Sequence, residues 1–498
     1  MSCSMDESSS RAAGNSPSNS KNAVTTGWKR KPPHWCDNRC GPWRMRQQQE
    51  YAVTEIRRQT TMFAADGRGD APQPPFLRRL RKTSRAVFDA VGLPTTAHEE
   101  WRHTNIAPIA RTHFAAAEPA DADVAGHLLG ECAAAEAVCV NGYWRPRLSR
   151  MSALPPGVLL VSLREAIDGS ATPVHEFLGR LAQLEDRPFV AWNTSDFADG
   201  VLLYMRRGTR LDRPVHLLFL GAAGDVPVVY HPRVLIVAEE DVEASIVETY
   251  AGNGSASHLC NAVSEIFIGA GSRVDHYRMQ REPAGAFHIS ATGVELREGA
   301  SFVSHSLSQG ARISRNELEV FLRGSGASAT LNGLVMAGGE QLADNHTLLS
   351  HEKPGCYSHE LYKHVLDGRA TGVFKGKILV HQGAQKTDSR QTSKTLLLSD
   401  SATMHSQPAL EIYADDVKCT HGSTTGPVDE EAVFYLRSRG LGLEAARHLL
   451  TYAFAADITR RIRVEAVRRR IEDDLASQQG LPLDLRITDA GQHDDAAL

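Results

Sequence analysis

The sequence lacks the features that mark several classes of protein. Its 55 Lys and Arg residues against 59 Asp and Glu residues give a net charge of -4, without the excess of positive charge typical of nucleic-acid binding. No apolar run approaches the roughly 18 residues of a membrane-spanning helix. The eight cysteines in 498 residues have no framework spacing, which favours a reducing compartment over a disulfide-linked secreted domain. We therefore expect a cytoplasmic protein without a nucleic-acid or membrane partner.

The first 75 residues differ in composition from the rest. They open with MSCSMDESSSRAAGNSPSNS, a Ser-rich stretch without apolar periodicity, which predicts disorder or a leader extension over residues 1–75. Residues 1–49 contain eight Lys and Arg residues against three acids, a composition typical of an organelle transit peptide, so a plastid location is the alternative. Met62 is a second candidate start. The tail, residues 481–498, is predicted to be flexible.

Residues 76–195 are predicted to be mostly helical. An apolar stripe at helical spacing precedes the stop signal Gly92-Leu93-Pro94; it consists of Leu77, Leu80, Val87, Phe88 and Val91. Thr96 then precedes Glu99 and Glu100 with the spacing of a capping box.

Residues 196–426 contain short alternating strands separated by similar turns. Turns beginning at Asp241, Gly271, Gly299 and Gly326 follow one another after 30, 28 and 27 residues, and Asp400 begins a candidate later copy. A strand-rich repeat of this length indicates stacked coils of sheet. A β-sandwich is the alternative, but the Asn-Gly and Asp-Gly turns that hairpins require are largely missing. We therefore predict a mainly β protein with a β-helix core.

Residues 427–480 return to helix. Asp429 is placed to cap the run EEAVFYLRSR, and Gly440 suits the position just past its end. A second helix follows, with one apolar face that begins at Leu443. The sequence leaves open whether this region is a solvated helix pair or a docking site for a partner.

The stretch ADDVKCTHGSTTG, residues 414–426, contains the most specific chemistry. Cys419 and His421 are two residues apart, so on a strand both side chains lie on one face, where a thiolate and an imidazole suit a soft metal such as zinc or iron. Two ligands are too few to complete a structural zinc site, and ordinary strand-end residues are the alternative. Asp415 and Asp416 are candidates for an acid/base pair or for iron recruitment, although adjacent residues of a strand point to opposite faces. The favoured interpretation is that their carboxylates satisfy backbone groups at the strand end.

Four longer motifs carry a family resemblance. AQKTD (residues 384–388), LLLS (396–399), ADDVKCTHG (414–422) and FYLRSRG (434–440) resemble the conserved region of the SufD proteins, within the SufB/SufD family of the SUF iron–sulfur cluster assembly system. The similarity is strongest over residues 340–460 and weaker at EEWRHTN, residues 99–105. SufB proteins typically have a Glu-His-Glu sequence where this chain has Lys418-Cys419-Thr420-His421, which favours the SufD type.

The resemblance implies a right-handed parallel β-helix flanked by helical N-terminal and C-terminal regions. It also implies a non-enzymatic scaffold that pairs with a SufB-like paralogue and binds a SufC-like ABC ATPase through its C-terminal helices. Sulfur would come from a cysteine desulfurase system, and ATP would enter only through the ATPase. A homodimer is a further possible state.

The resemblance also assigns site residues. It implies that His421 is a ligand of a transient iron–sulfur cluster or of iron at the SufB interface, with Cys419 as a second candidate and SufB completing the site. The expected contacts with the ATPase are Phe434, Arg437, Arg439, Gly440 and Leu443. The alternative function is a β-helix hydrolase or lyase acting on polysaccharide through Asp415 and Asp416, which the 6% aromatic content disfavours because such enzymes usually line a substrate groove with aromatic rings.

Overall fold

The structure is a computed structural model that describes residues 73–151, 154–254 and 257–478. Nearly all of the predicted N-terminal extension, and the predicted flexible tail, lie outside these described residues. Within them the chain is mainly β, with helices before and after the strands. No helix in the described ranges has both the length and the apolar character needed to cross a bilayer.

The described strands form two long sheets, and the chain passes from one to the other at almost every turn. The strands are β1 Ala115–Ala116, β2 Ala135–Val140, β3 Tyr143–Trp144, β4 Val158–Ser162, β5 Gly200–Met205, β6 Val215–Ala223, β7 Val228–Tyr230, β8 Arg233–Ala238, β9 Glu243–Gly254, β10 His258–Ile268, β11 Arg273–Gln280, β12 Phe287–Leu296, β13 Ser301–Gln309, β14 Ile313–Leu322, β15 Ser328–Ala337, β16 Leu342–His351, β17 Tyr357–Leu366, β18 Thr371–Val380, β19 Asp388–Leu397, β20 Thr403–Ile412 and β21 Lys418–Pro427.

The first sheet has the order β4-β5-β8-β10-β12-β14-β16-β18-β20, and the second has the order β3-β2-β6-β9-β11-β13-β15-β17-β19-β21. Successive coils pair in parallel, so the predicted parallel β-helix with flanking helices is confirmed.

The repeated turns stack on one another. The strands that follow Asp241, Gly271, Gly299 and Gly326 pair in register, with Arg273 opposite Glu243 and then opposite Ser301. The four turn residues have φ between 57° and 68°, a left-handed conformation that Gly adopts readily and Asp tolerates. Each turn donates a backbone hydrogen bond to the next turn, as from Gly271 N to Glu298 O at 2.9 Å. The sequence repeat therefore corresponds to one coil.

The prediction that Asp400 begins a later copy of this turn is wrong. The strand after it, β20, pairs with β18 in the first sheet, with Thr403 opposite Thr371. Asp400 therefore belongs to the other row of turns, which includes Gly339 and Gly368, and both of those also have positive φ. The two rows share the same local turn chemistry, so composition alone does not separate them.

The N-terminal region covers the outer face of the first sheet. Side chains of its helices pack against outward-facing residues such as Leu259, Phe287 and Ile313. Strands β2 and β4 also come from this region, so residues 76–195 contribute sheet as well as helix. The expected capping box at Thr96 does not form, and Glu99–Trp101 is a single 3₁₀ turn without a side-chain cap. The helices are α1 Pro75–Val91, α2 Ala107–Arg111, α3 Leu163–Asp168, α4 Thr172–Phe177 and α5 Pro188–Asp196.

The C-terminal helices cover the outer face of the second sheet. They are α6 Glu430–Ser438, α7 Leu443–Thr459 and α8 Glu465–Gln478. Tyr452 and Ile471 belong to one buried cluster with Tyr277 and Leu307 of the sheet. Lys363 Nζ lies 2.8 Å from the carboxylate of Asp457. The interpretation of this region as a solvated helix pair is therefore wrong, because α7 and α8 are part of the folded body.

The loop between β13 and β14 allows a test of coil packing. Gly310 has φ +86°, and a Cβ there would lie 2.0 Å from the carbonyl oxygen of Glu282. Gly285 lies in the loop between β11 and β12, where a Cβ would meet no atom within 4 Å.

We expect Gly310→Ala to destabilise the protein by about 2 kcal/mol or more, because it adds left-handed strain to a backbone overlap. Gly285→Ala is the matched control and should leave the thermal unfolding midpoint nearly unchanged. Equal midpoints for the two variants, measured by circular dichroism, would show that the coil contact at Gly310 is not rigid.

Candidate functional site

Cys419 and His421 lie on β21, the last strand of the second sheet. Their partners on β19 are Ser389 and Gln391, both buried inside the β-helix. Cys419 is half-buried and packs against the interior core. Because side chains alternate along a strand, His421 lies on the same inward face as Cys419. Both side chains therefore stand at the open end of the β-helix interior.

The opposite wall of this open end is β20. Met404 and Leu410 of β20 pack against the interior core, and Ser423 Oγ of β21 bonds to Ser406 Oγ of β20 at 2.8 Å. We call the end formed by the inward-facing residues of β20 and β21 the mouth. The mouth is therefore formed by the last strand of each sheet, and both candidate ligands lie on one of these strands, β21.

Among the described residues, no strand pairs with the outer edge of β21. Lys418 N donates to the carbonyl oxygen of Thr387, the residue just before β19, at 2.8 Å. In a regular parallel ladder the backbone groups of the even-numbered residues of β21 therefore bond to β19, and those of the odd-numbered residues point away from it, which we call outward. The backbone N–H and C=O groups that point outward therefore include those of Cys419, His421 and Thr425, although the side chains of Cys419 and His421 face the interior. Ten residues of β21 and ten of β20 form this end, a length that folded proteins rarely leave uncovered.

The other end of the β-helix is closed differently. The first sheet ends in β4, which pairs antiparallel with β5, and the second ends in the two-residue strand β3, which pairs antiparallel with β2. Very short end strands discourage pairing with another chain, and β3 has only two residues. The mouth instead presents two strands of ten residues each.

Two titratable groups set the chemistry at and behind the mouth. Burial, together with the negative charge of Asp388, raises the pKa of the Cys419 thiol, which keeps it protonated near neutral pH until a metal displaces the proton. Behind it, Gln391 Nε2 donates to Glu360 Oε2 at 2.6 Å. Burial raises the pKa of Glu360 to about 7. A polar column, Glu360–Gln391–His421, therefore leads from the interior to the mouth.

The mouth holds two metal donors of its own. No third Cys, His, Asp or Glu of the described residues gathers with Cys419 and His421 into a group that holds a metal. Asp415 and Asp416 lie in the turn before β21, and the Asp416 carboxylate forms an ion pair with Lys386. The interpretation that this carboxylate satisfies backbone groups is therefore wrong for Asp416. Further ligands at the mouth would have to come from another molecule.

The predicted partner-binding residues form a second exposed surface. Asp429 caps α6 as predicted, accepting from Glu431 N at 2.9 Å, and Gly440 ends the helix with φ 97°. Beyond these, large side chains face solvent, with Phe434 73% and Tyr435 57% exposed. The Arg439 guanidinium lies 5.2 Å from the centre of the Tyr435 ring. We call this surface the α6 patch; it consists of Phe434, Tyr435, Arg437, Arg439 and Leu443.

Sequence reasoning missed several members of these surfaces. Tyr435 was not among the expected contacts, although it follows Phe434 directly. The Ser423–Ser406 bond joins residues 17 apart, and the Gln391–Glu360 bond joins residues 31 apart. The second separation is close to one coil period, so comparing positions one coil apart is the signal that would have found it.

Comparison with known proteins matches two family models. Residues 219–454 match the SufBD core domain of SUF system FeS cluster assembly, and residues 65–217 match the SufBD protein N-terminal region. The boundary between the two matches falls within β6, where the regular coils begin.

Curated relatives agree with these models. The chain is 30% identical to an iron–sulfur cluster assembly SufBD family protein of Synechocystis, over 85% of this chain and 96% of that protein. It is 29% identical to the iron–sulfur cluster assembly protein SufD of Escherichia coli, over 82% of this chain and 93% of that protein. It is 27% identical to protein ABCI7, chloroplastic, of Arabidopsis thaliana, over 77% and 82%. With the parallel β-helix and both models in agreement, the predicted SufD resemblance is confirmed, and the chain belongs to the SufBD family of SUF iron–sulfur cluster assembly proteins.

Proposed function

We propose that this chain is a non-enzymatic scaffold subunit that pairs with a SufB-like paralogue at the mouth and presents His421 to a nascent cluster. The observation that supports this most directly is that β20 and β21 end their sheets in the described part of the chain, with the candidate metal donors Cys419 and His421 on β21. A similar relative is named an iron–sulfur cluster assembly protein SufD. In this proposal the iron or cluster is the cargo of the site.

Pairing by strand addition follows from the free edge. An incoming strand would satisfy the outward backbone groups of β21, as in other cases of β-augmentation. The half-buried side chains of β20 offer apolar contact beside the edge. The same edge would serve a second copy of this chain, so a homodimer competes with the heterodimer for one surface.

The chemistry of the mouth suits a cluster that is built and released. A neutral imidazole binds iron, and His421 is exposed, so a bound ion exchanges without unfolding of the chain. Cys419 is a second donor whose raised pKa opposes binding until its proton leaves. The partner's own ligands would complete the coordination.

The α6 patch is the proposed docking site for a SufC-like ATPase. Exposed aromatic side chains beside Arg residues are typical of interface centres. In this proposal ATP is bound only by that ATPase, and sulfur comes from a cysteine desulfurase system. The assembly would work in the cytoplasm, or in a plastid if the N-terminal extension is a transit peptide.

The first prediction concerns the ligand. We expect His421→Ala to abolish cluster build-up in the reconstituted complex and to leave complex assembly intact, because an exposed strand residue contributes about 1 kcal/mol or less to stability. Cys419→Ser should give a milder defect, since the partner supplies other ligands. Anaerobic absorbance of the purified complex measures the cluster, and gel filtration measures assembly. Normal cluster absorbance with His421→Ala would show that His421 is not a ligand.

The second prediction concerns the edge. Thr425→Pro removes an outward N–H of β21 and keeps the inward ladder to β19, because Pro is tolerated on edge strands. We expect about tenfold weaker pairing with the SufB-like partner, since each lost backbone hydrogen bond is worth roughly 1 kcal/mol and the ring obstructs its neighbours.

Thr425→Val is the matched control for the edge, because it keeps the N–H group and the branched side chain. Isothermal titration with the partner compares the two variants. If Thr425→Pro binds as well as Thr425→Val, the partner does not pair with this strand.

The third prediction concerns the ATPase. We expect Arg437→Glu with Arg439→Glu to reduce recovery of the ATPase in a pull-down by about tenfold, through loss of charge complementarity at the patch. Reversal of two distant exposed arginines, Arg207→Glu with Arg369→Glu, is the control and should change recovery little, because isolated surface pairs contribute at most about 1 kcal/mol. Equal recovery from both double variants would place the ATPase contact elsewhere.

A further inference from the structure

A second group of metal-ligand side chains lies deep inside the β-helix, far from the mouth. Cys260, Glu282 and His288 each offer one ligand atom, and these atoms all lie within 4.8 Å of one another. All three residues are 2% exposed or less. They sit on β10 and β12 and on the loop that joins β11 to β12. Four strand spacings of about 4.8 Å separate β12 from β20, so the group lies roughly 20 Å from the mouth.

The coil register brings the thiol and the imidazole together. Cys260 of β10 is the direct cross-strand partner of His288 of β12, and the thiol belongs to the interior core. The carboxylate comes from the loop before β12, whose backbone is held where Glu282 O accepts from Ala311 N at 3.0 Å. The backbone of each donor is therefore held by contacts between coils: Cys260 and His288 by strand pairing, and Glu282 by its hydrogen bond from Ala311.

The hydrogen bonds of the group account for only part of its polar atoms. His288 Nδ1 lies 2.6 Å from Glu282 Oε1, and Gln280 Nε2 donates to Glu282 Oε2 at 2.8 Å. The other imidazole nitrogen, His288 Nε2, is fully buried, and none of the described residues hydrogen-bonds to it. The same holds within the described ranges for His258 Nε2, on the strand two residues before Cys260. Buried polar atoms are rarely left in this state.

A purely structural ion pair explains the Glu282–His288 contact but not its surroundings. It gives no reason for a thiol one strand spacing away or for two imidazole nitrogens without partners. The ring of His258 also occupies space that is open only because residues 221 and 252 are Gly: a Cβ at Gly252 would lie 2.3 Å from its Cε1 atom. The two glycines thus leave room for an additional buried imidazole.

We propose that Cys260, Glu282 and His288 form a buried binding site for one divalent transition-metal ion of the zinc or ferrous iron class. Thiolate, imidazole and carboxylate are the donors that these borderline ions accept together. Tetrahedral bonds of about 2.0–2.3 Å place ligand atoms roughly 3.3–3.8 Å apart. Ligand atoms as far apart as the 4.8 Å limit of this group would have to approach by about 1 Å, and His288 Nδ1 and Glu282 Oε1, now 2.6 Å apart, would have to separate by roughly 0.7 Å if both bind the ion. Binding would release the thiol proton of Cys260.

Such an ion would tie together two neighbouring coils and the loop between them. Because the donors are fully buried, the ion would enter as the chain folds and would exchange slowly afterwards. The inference rests on these residues alone and does not depend on the function proposed for the mouth.

Cobalt is the probe, because a thiolate bound to Co²⁺ gives a charge-transfer band in the near ultraviolet. The full-length chain is produced in cobalt-supplemented medium, purified without chelator and desalted, and its metal content and spectrum are then measured. We expect one buried Co²⁺ per chain with a sulfur-to-cobalt band that is retained after a brief wash with chelator.

The variants assign the ion to its ligands. Cys260→Ser and His288→Gln should each lose the wash-resistant ion and the band. Cys139→Ser should keep both, because Cys139 is an equally buried thiol that belongs to no metal-holding group among the described residues. Cys419→Ser should also keep both, which separates this site from the mouth.

A second readout guards against misfolding of the variants. Chelation under mild denaturant should lower the thermal unfolding midpoint of the cobalt-loaded wild type towards that of Cys260→Ser, and should leave the variant's own midpoint unchanged. Wild-type protein without a wash-resistant ion would overturn the proposal, as would wild-type metal content in both Cys260→Ser and His288→Gln.

Discussion

The parallel backbone ladder between successive coils is the constraint on which the rest of this structure depends. Each coil satisfies its backbone groups through the coil before it and the coil after it, so these groups are fully paired only where both neighbours exist. At the first coils the antiparallel strands β3 and β4 end the ladder. At the last coil nothing in the described part of the chain follows β20 and β21. The position of the candidate site is a consequence of this asymmetry, because inward-facing residues become accessible only where the ladder stops.

The same last coil also anchors the α6 patch. Leu396 at the end of β19 packs in one cluster with Val433 of α6 and Ala446 of α7, and only two residues separate β21 from α6. Deeper along the chain, α7 and α8 are fixed to the second sheet through a large apolar cluster. A displacement of α6 would therefore be transmitted to β21 through the two-residue connection and to β19 through the small apolar cluster. This arrangement is physically suited to coupling a partner bound at the patch to a partner paired at the mouth.

The sequence predicted the fold to the extent that local chemistry repeats. Gly271, Gly299 and Gly326 revealed the coil period because their left-handed φ values favour Gly. The prediction lost the row after Gly326, although Gly355 continues it with a left-handed φ of 70°. In the coil after Gly355 the equivalent left-handed position is held by Lys386, which carries no such sequence signal. The strand β2 was hidden within a region predicted as helical, since a short apolar run such as AEAVCV has no period that separates strand from buried helix. Cys419 and His421 were found because they are neighbours in sequence. Cys260 and His288 are 28 residues apart in sequence and come together only through the pairing of β10 with β12.

Burial separates the two groups of metal donors in kind. His421 is exposed, so its donor atoms are solvated in the free chain and a ligand exchanges at the cost of side-chain motion alone. Cys260 and His288 are fully buried, and an unpartnered polar atom there costs of the order of 1–3 kcal/mol until something binds it. An ion at the inner group would therefore stabilise the fold and leave slowly, whereas an ion at the mouth would stabilise the fold little and leave readily. Under the function proposed above, a cluster built at the mouth is handed on, and only the second behaviour is compatible with that step. The exposed, incomplete site therefore suits the proposed assembly, and the buried one does not.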